Sequence, residues 1–227
     1  MESQMRDEIL ALLSHGLRTQ VTSILGWAQM LRKGVEPEEV VHGLEIIENN
    51  ARLQEQLISE LLVVNKVLSG KIHLGLECTD VSRVIDSVLE GLRPSAEAKG
   101  IRVSVGAMAE DASVQADPTH LGRAIRMLLA NSIRFTPRGG EVELTLERSD
   151  DQVEISVIDS GVGIAPSRLP LICERFRYPD SPANRESSGL GLPVARTLVE
   201  LHGGTLHAHS EGQGCGTTVS IVLPVSS

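Results

Sequence analysis

The chain has 227 residues, 41% hydrophobic and 22% charged, an ordinary globular composition long enough for one large or two small domains. Its 21 Lys and Arg against 30 Asp and Glu leave a net charge of −9, which argues against a nucleic-acid partner, since neutralising phosphates needs a basic surface. Aromatic residues are only 2% of the chain, so the core is expected to be aliphatic. The cysteines Cys78, Cys173 and Cys215 are odd in number and unclustered, with neither metal-ligand spacing nor a disulfide framework. A reducing, cytoplasmic compartment is the expectation. No apolar run approaches the ~20 residues of a membrane span and no signal peptide follows Met1. No membrane contact is expected of this segment, and any attachment would come from sequence outside it.

The first seventy residues read as two long helices. From Arg6 to Leu31 there is no Pro, and Leu10, Leu13, Leu17, Ile24, Trp27 and Leu31 recur at helical spacing, with Gln20 the one polar member of the series. Gly34 and Pro37 supply a stop and a restart. A second helix then carries Val40, Leu44, Ile47, Ala51, Ile58, Leu61 and Leu68, interrupted by Gln54 and Asn65. Two helices alone cannot enclose stripes this long. A homodimeric four-helix bundle would bury them, and packing of the hairpin on the rest of the chain is the alternative. Residues 1–70 are the first expected domain.

Ser69-Gly70-Lys71 ends the helical pattern, and residues 71–227 are the second expected domain. Strand-like alternation at Ile72, Leu74 and Leu76 leads to a helix over Val81–Lys99, ended by Gly100, and a strand at Ile101–Val105. Asp117-Pro118 has the form of an N-cap with Pro at the first helical position, opening a helix to about Arg134. Strands follow at Glu141–Glu147 and Gln152–Ile158, then a stretch rich in Gly, Pro and Ser from Ser160 to Ser188. A helix at Leu190–His202 and strands at Thr205–His209 and Thr217–Leu223 complete the chain. This order gives an α+β fold, a helical hairpin followed by an α/β sandwich with helices on one sheet face.

Few residues stand out as chemistry. His15 lies roughly 140–180° around its helix from the leucine stripe, on a polar face with Glu8, Arg18 and Thr22. It is either an inert surface histidine or an exposed, rigidly mounted imidazole of the kind a phosphoryl acceptor requires. Asn131, on an otherwise apolar helical face, is either a core Asn bonded to a loop or a hard oxygen ligand for Mg²⁺. Asp159-Ser-Gly161-Val-Gly163 directly follows a strand, where a carboxylate can accept from an exocyclic amine and glycines admit a flat ligand. Any tight turn could produce the same string. Ser188-Gly189-Leu190-Gly191-Leu192-Pro193 opens a helix whose N–H groups could meet phosphate, although no P-loop Lys follows. Gly214-Cys215-Gly216-Thr217 is a third glycine turn, either a hairpin or a ligand wall. His202, His207 and His209 lack acidic or Cys partners and are not expected to hold metal.

The order of these motifs is more specific than any one of them. Ser14-His15-Gly16-Leu17-Arg18-Thr19, Asn131, Asp159-x-Gly161-x-Gly163, Gly189-Leu190-Gly191-Leu192 and Gly214-x-Gly216-Thr217 together resemble the sensor histidine kinases of two-component systems. The resemblance spans essentially the whole chain and includes Ala116-Asp117-Pro118, Glu174-Arg175-Phe176 and Leu201-His202-Gly203-Gly204. It implies a dimerisation and phosphotransfer hairpin followed by an ATP-binding domain of the gyrase and histidine-kinase superfamily. His15 would take the γ-phosphoryl group of Mg·ATP and pass it to an Asp of a response regulator receiver domain. Thr19 would orient water for the reverse dephosphorylation. Asn131 would ligate Mg²⁺, Arg134 would contact phosphate, and Phe135 would lie against adenine. Asp159 would accept from the adenine amino group, with room from Gly161 and Gly163 and support from Thr217. Ser188, Gly189, Leu190, Gly191 and Leu192 would cradle the phosphates, Arg177 would reach the γ-phosphate, and Ser160–Ser188 would be a mobile lid.

Four positions depart from that family. Gly16 replaces the carboxylate that normally takes the proton of the attacking imidazole, help worth ~10²–10⁴ in rate. Met127 stands where a polar residue is common, Gln20 replaces a Pro, and Arg177-Tyr178 reorders an aromatic and an Arg. A degenerate kinase that binds nucleotide or a partner is therefore the first rival reading. An ATPase coupled to clamping is the second, and Met127 cannot supply the water-activating carboxylate that it needs.

Overall fold

The computed structural model describes the backbone of residues 2–68, 72–172 and 191–225, with side chains in the first helix from Leu17 onward. The described residues fall into two compact units, a helical hairpin and a unit of sheet and helices that begins at Ile72.

The hairpin pairs α1 (Glu2–Lys33) with α2 (Pro37–Leu68). Pro37 sits at the first helical position, where its missing N–H costs nothing, and Glu38 and Glu39 face the positive end of the helix dipole. Arg32 and Lys33 do the complementary work at the end of α1. Gly43 of α2 lies directly against Trp27 of α1. A Cβ on Gly43 would lie 2.7 Å from the indole Cε3 and 3.2 Å from Leu31 Cδ2, and the ring also stands edge-on to His42 at 5.4 Å. Gln20 and Leu57 are buried within the hairpin. Other apolar residues are not: Leu25, Val41, Leu44, Ile58 and Leu62 remain 47–60% exposed on a single chain. No helix among the described residues is long and apolar enough to cross a membrane.

The second unit is built on a five-stranded sheet in the order β2-β4-β5-β7-β6, with ranges Arg102–Met108, Glu141–Arg148, Gln152–Asp159, Thr217–Pro224 and Thr205–His209. All neighbours are antiparallel except β2 and β4. Strict alternation decides which face is buried: Val142, Leu144 and Leu146 of β4 and Val153, Ile155 and Val157 of β5 point inward, while Glu141, Glu143, Gln152 and Glu154 point out. Helices α3 (Val81–Lys99), α4 (Pro118–Phe135) and α6 (Gly191–Leu201) cover the inner face with Ile85, Leu121, Ile125, Leu128 and Leu198. Among the described residues the core is aliphatic, as the composition requires. A single-turn helix α5 (Leu169–Ile172) lies within the stretch expected to be irregular.

The expected strand at Ile72–Leu76 is not one. Gly75 gives its N–H to Asp117 Oδ2 at 3.1 Å instead of to a neighbouring strand, and pairing starts only at β1 (Glu77–Asp80). The partner of β1 is β3 (Ser113–Ala116), a four-residue strand too short for alternation to reveal. The strand after Gly100 runs on to Met108, while the remaining helices and strands differ from expectation by one or two residues at their ends.

Helix ends set the geometry that matters for the site. Asp117 caps α4 by accepting from the N–H groups of Thr119 and His120, each at 3.0 Å. The Asp117 N–H in turn donates to His202 Nε2 at 3.1 Å, which fixes the tautomer of His202: its Nδ1–H donates to Leu198 O at 2.7 Å. The end of α6 is thereby tied to the start of α4.

Glycine spacing yields a paired prediction for the hairpin. Gly26 has open space around a notional Cβ, so Gly26→Ala gains helix propensity and stabilises by ~1 kcal/mol. Gly43→Ala has the same propensity gain but drives a methyl into the Trp27 ring, an overpacking cost of ~1–3 kcal/mol. Thermal melts followed by helical circular dichroism should shift up for the first variant and down for the second. Equal upward shifts would show that Gly43 does not lie against Trp27.

Candidate functional site

Asp159 is the last residue of β5, and only 9% of it is exposed. Its Oδ1 accepts from the N–H of Gly161 at 2.9 Å and of Thr217 at 3.1 Å, and its Oδ2 accepts from Ser132 Oγ at 3.0 Å. Burial raises the carboxyl above the ordinary carboxylate range, and these three donors only partly offset it. A carboxylate buried against its preference at the end of a strand is a candidate functional group, because such shifts cluster at sites.

The backbone around it closes in from three segments. Val162 donates to Phe135 O at 3.2 Å, Gly214 to Val162 O at 2.8 Å and Gly216 to Gly161 O at 3.2 Å. Ser210, buried behind this turn, accepts from the Ile164 N–H at 2.9 Å and donates to Gly216 O at 2.7 Å. Two glycines are required by this crossing. Gly163 has φ +64 and a Cβ there would overlap the Gly212 carbonyl oxygen; Gly216 has φ +72 and would strike Asp159 O. Gly161 is tight as well, with Asp159 Oδ1 at 2.6 Å from a notional Cβ. The two glycine motifs are thus two sides of one turn around Asp159.

The last turn of α4 forms the adjoining wall. Asn131 is half-buried rather than buried, and no described residue hydrogen-bonds to its side chain. A single carboxamide oxygen open at the rim suits Mg²⁺, which keeps most of its waters and takes few protein ligands. Arg134 stacks over Phe135 with its Cζ 5.3 Å from the ring centroid, and both side chains are half-buried. Gly191 and Leu192 start α6, which packs along α4. Thr217 acts through its backbone N–H. Arg177, Ser188, Gly189 and Leu190, with most of the expected lid, lie outside the described residues.

His15 and Thr19 belong to α1, in the other unit, four residues apart in the helix. Thr19 is exposed.

Ser132 and Ser210 had no part in the sequence reading. Ser132 carried a usable signal: it follows Leu128 by four residues and Ile125 by seven, on the buried face of α4, where a hydroxyl must find a partner. Nothing local to Ser210 announces its role.

Two family models match the chain. Residues 5–70 match the His Kinase A phospho-acceptor domain, and residues 116–227 match the histidine kinase-, DNA gyrase B- and HSP90-like ATPase. Among curated relatives, the histidine protein kinase DivJ of Caulobacter vibrioides is 30% identical over 97% of this chain. The chain spans 37% of DivJ and between 17% and 38% of the first curated relatives it matches. The solved structure of the mycobacterial sensor histidine kinase MprB is 34% identical, with a TM-score of 0.58 over 66% of this chain and 97% of that one. Full-length ShkA, solved in complex with AMPPNP, is 26% identical with a TM-score of 0.67, covering 96% of this chain and 46% of that one.

The charge on Asp159 gives a stability prediction with a definite sign. Its folded-state pKa lies above the unfolded value, so the folded state favours the protonated acid and stability is lost as pH rises through that raised pKa. Asp159→Asn, a neutral near-isostere, should at pH 7 be as stable as the parent or more so by up to ~1 kcal/mol. The difference should shrink as the pH is lowered. A loss of ~2 kcal/mol or more at pH 7 in denaturant melts would mean that the carboxylate stabilises the fold.

Proposed function

The chain belongs to the sensor histidine kinases of two-component systems, and on that premise we propose that it binds Mg·ATP, phosphorylates His15 and passes the phosphoryl group to an Asp of a response regulator receiver domain. The observation that carries this reading is the buried Asp159 carboxylate at the end of β5, held by Ser132, Gly161 and Thr217 while the glycine turns bring the backbone of three segments close around it. A carboxylate so placed accepts from the exocyclic amine of adenine and discriminates against bases without that donor. Phe135 covers a face of the base, and Gly161 and Gly163, whose Cβ positions are filled by neighbouring protein atoms rather than open as expected, shape the turn that holds Asp159. Asn131 supplies the protein oxygen for Mg²⁺, and Arg134 with Gly191 and Leu192 at the start of α6 meets phosphate oxygens. Arg177, Ser188, Gly189 and Leu190 belong to the same phosphate-facing group by motif. Bound Mg²⁺ supplies charge neutralisation across the phosphates.

In this scheme His15 uses a ring nitrogen lone pair to form the N–P bond as the γ-phosphorus to bridging-oxygen bond breaks toward ADP, and the ring proton must leave. Thr19, one turn on, orients water when the regulator is dephosphorylated. Residues 1–70 serve as the dimerisation and phosphotransfer domain and residues 71–227 as the ATP-binding domain. The exposed Val41, Leu44, Ile58 and Leu62 support a homodimer through a four-helix bundle, since contiguous apolar helix faces rarely stay in water. The absence of an apolar spanning helix among the described residues is compatible with a cytoplasmic segment.

Gly16 favours a second reading. Without a carboxylate beside His15, a chain that binds nucleotide but signals by conformation or partner binding is the alternative.

Incubation with γ-labelled ATP and Mg²⁺ tests both. The kinase reading requires acid-labile, base-stable label that disappears in His15→Ala; ATP binding without label supports the degenerate module. For the missing base, Gly16→Glu should phosphorylate at least about tenfold faster than Gly16→Gln, the low side of general-base help, since both gain similar helix propensity. Equal rates would mean that another group takes the proton.

A further inference from the structure

The last turn of α4 carries Asn131, Ser132, Arg134 and Phe135, and the carbonyls after Ser132 lie beyond the last bond of the helical ladder. Each has a partner. Ser132 O accepts from Thr136 N–H at 3.1 Å and Thr136 Oγ1 at 2.7 Å, and Phe135 O accepts from Val162 N–H at 3.2 Å. The two between them, Ile133 O and Arg134 O, both accept from one group, the ammonium of Lys99, the former at 2.9 Å. Lys99 is the final residue of α3 and half-buried. Its backbone is fixed by the cap at Gly100, whose N–H reaches back to Ala96 O and Glu97 O at φ +67.

We propose that Lys99 is a positioning residue for nucleotide binding: its ammonium clamps the final carbonyls of α4 and so sets the direction in which Asn131, Ser132, Arg134 and Phe135 face the nucleotide. This rests on the nucleotide site proposed above. Two features make Lys99 suited to the task. A cation at a helix C-terminus meets the negative end of the dipole, and the ammonium can donate to both carbonyls at once, which locks the turn rather than one residue. Elsewhere the turn is held by Ser132 on Asp159 and by the Val162 N–H on Phe135 O. Loosening the clamp changes the angle of the wall while leaving the sheet intact.

The test uses the full chain and Mg·ATP, with Lys99→Met as the neutral replacement of similar length and Lys99→Arg as the variant that keeps the charge and the donors. Calorimetric titration should show affinity for ATP weakened by about tenfold in Lys99→Met and restored to within about twofold of the parent in Lys99→Arg. Adenosine should weaken too, because Ser132 and Phe135 of the clamped turn face the base, and by no more than ATP, whose Mg²⁺ and phosphates also meet Asn131 and Arg134; a loss confined to ATP, with adenosine unchanged, would make Lys99 a direct charge for the phosphates and overturn the proposal. Hydrogen exchange should quicken in the peptide spanning Ser132–Phe135 and not in β4 or β5. Exchange rising equally across the sheet, or Lys99→Met binding ATP as the parent does, also overturns it. If the parent binds ATP and Lys99→Met is unchanged, only this proposal fails; if the parent binds no adenine nucleotide, both fail.

Discussion

Asp159 is buried at the end of β5 with three hydrogen-bond donors and too little compensation for its charge, and much of the sheet unit is arranged around that condition. The close passage of Asp159 past the two following turns leaves no space for a Cβ at Gly161 or Gly216. The need for a third donor places a hydroxyl, Ser132, on the buried face of α4, which fixes the rotation of that helix. Once that rotation is set, Asn131 and Phe135 follow by helical geometry alone.

A contrast within the same unit shows how environment assigns the role of a carboxylate. Asp117 also accepts from three N–H groups, and burial raises its carboxyl too. There the His120 N–H and ring and the Gly75 N–H outweigh burial and bring its pKa down to about 2. It sits at the N-terminus of α4, where the dipole welcomes an anion, so its charge stabilises the fold at any pH above the ordinary carboxylate value. Asp159 has a similar number of donors and no helix N-terminus, and its shift has the opposite sign. One carboxylate ties the linker at Gly75 to the start of α4, while the other is held with its charge only partly compensated, as the proposed adenine acceptor.

How much of this was legible in the sequence depended on whether the signal was local. The two long helices, the Asp117-Pro118 cap and strands β4 and β5 followed from periodicity and capping chemistry, because each residue's role is set within a turn or a pleat. The segment Ile72–Leu76 alternated like a strand but had no ladder to join, since its Gly75 N–H is taken by Asp117, 42 residues away. Strand β3 was invisible for the converse reason: its pairing with β1 comes from the sheet, not from its own four residues. In the site, the order of the glycine motifs singled out turns that the structure brings together around Asp159, but gave no sign that they cross one another. Lys99, Ser210 and the His202 tautomer depend on groups far along the chain. A hydrophobic pattern encodes which face is buried, not which carbonyl a lysine will reach.

What Asp159 accepts decides whether adenine lies against it. Inosine triphosphate keeps the triphosphate, the ribose and the flat base of ATP but has a carbonyl where adenine has its amino group. Side-by-side calorimetric titrations of the two with Mg²⁺ test that edge of the base, at which inosine also carries an N1–H where adenine N1 accepts. A charge-assisted bond of ~1.5–3 kcal/mol, lost and replaced by an oxygen facing a carboxylate, should leave inosine triphosphate binding at least about tenfold more weakly than ATP in the parent chain. Equal affinities would contradict the placement of the base against Asp159 and with it the central claim.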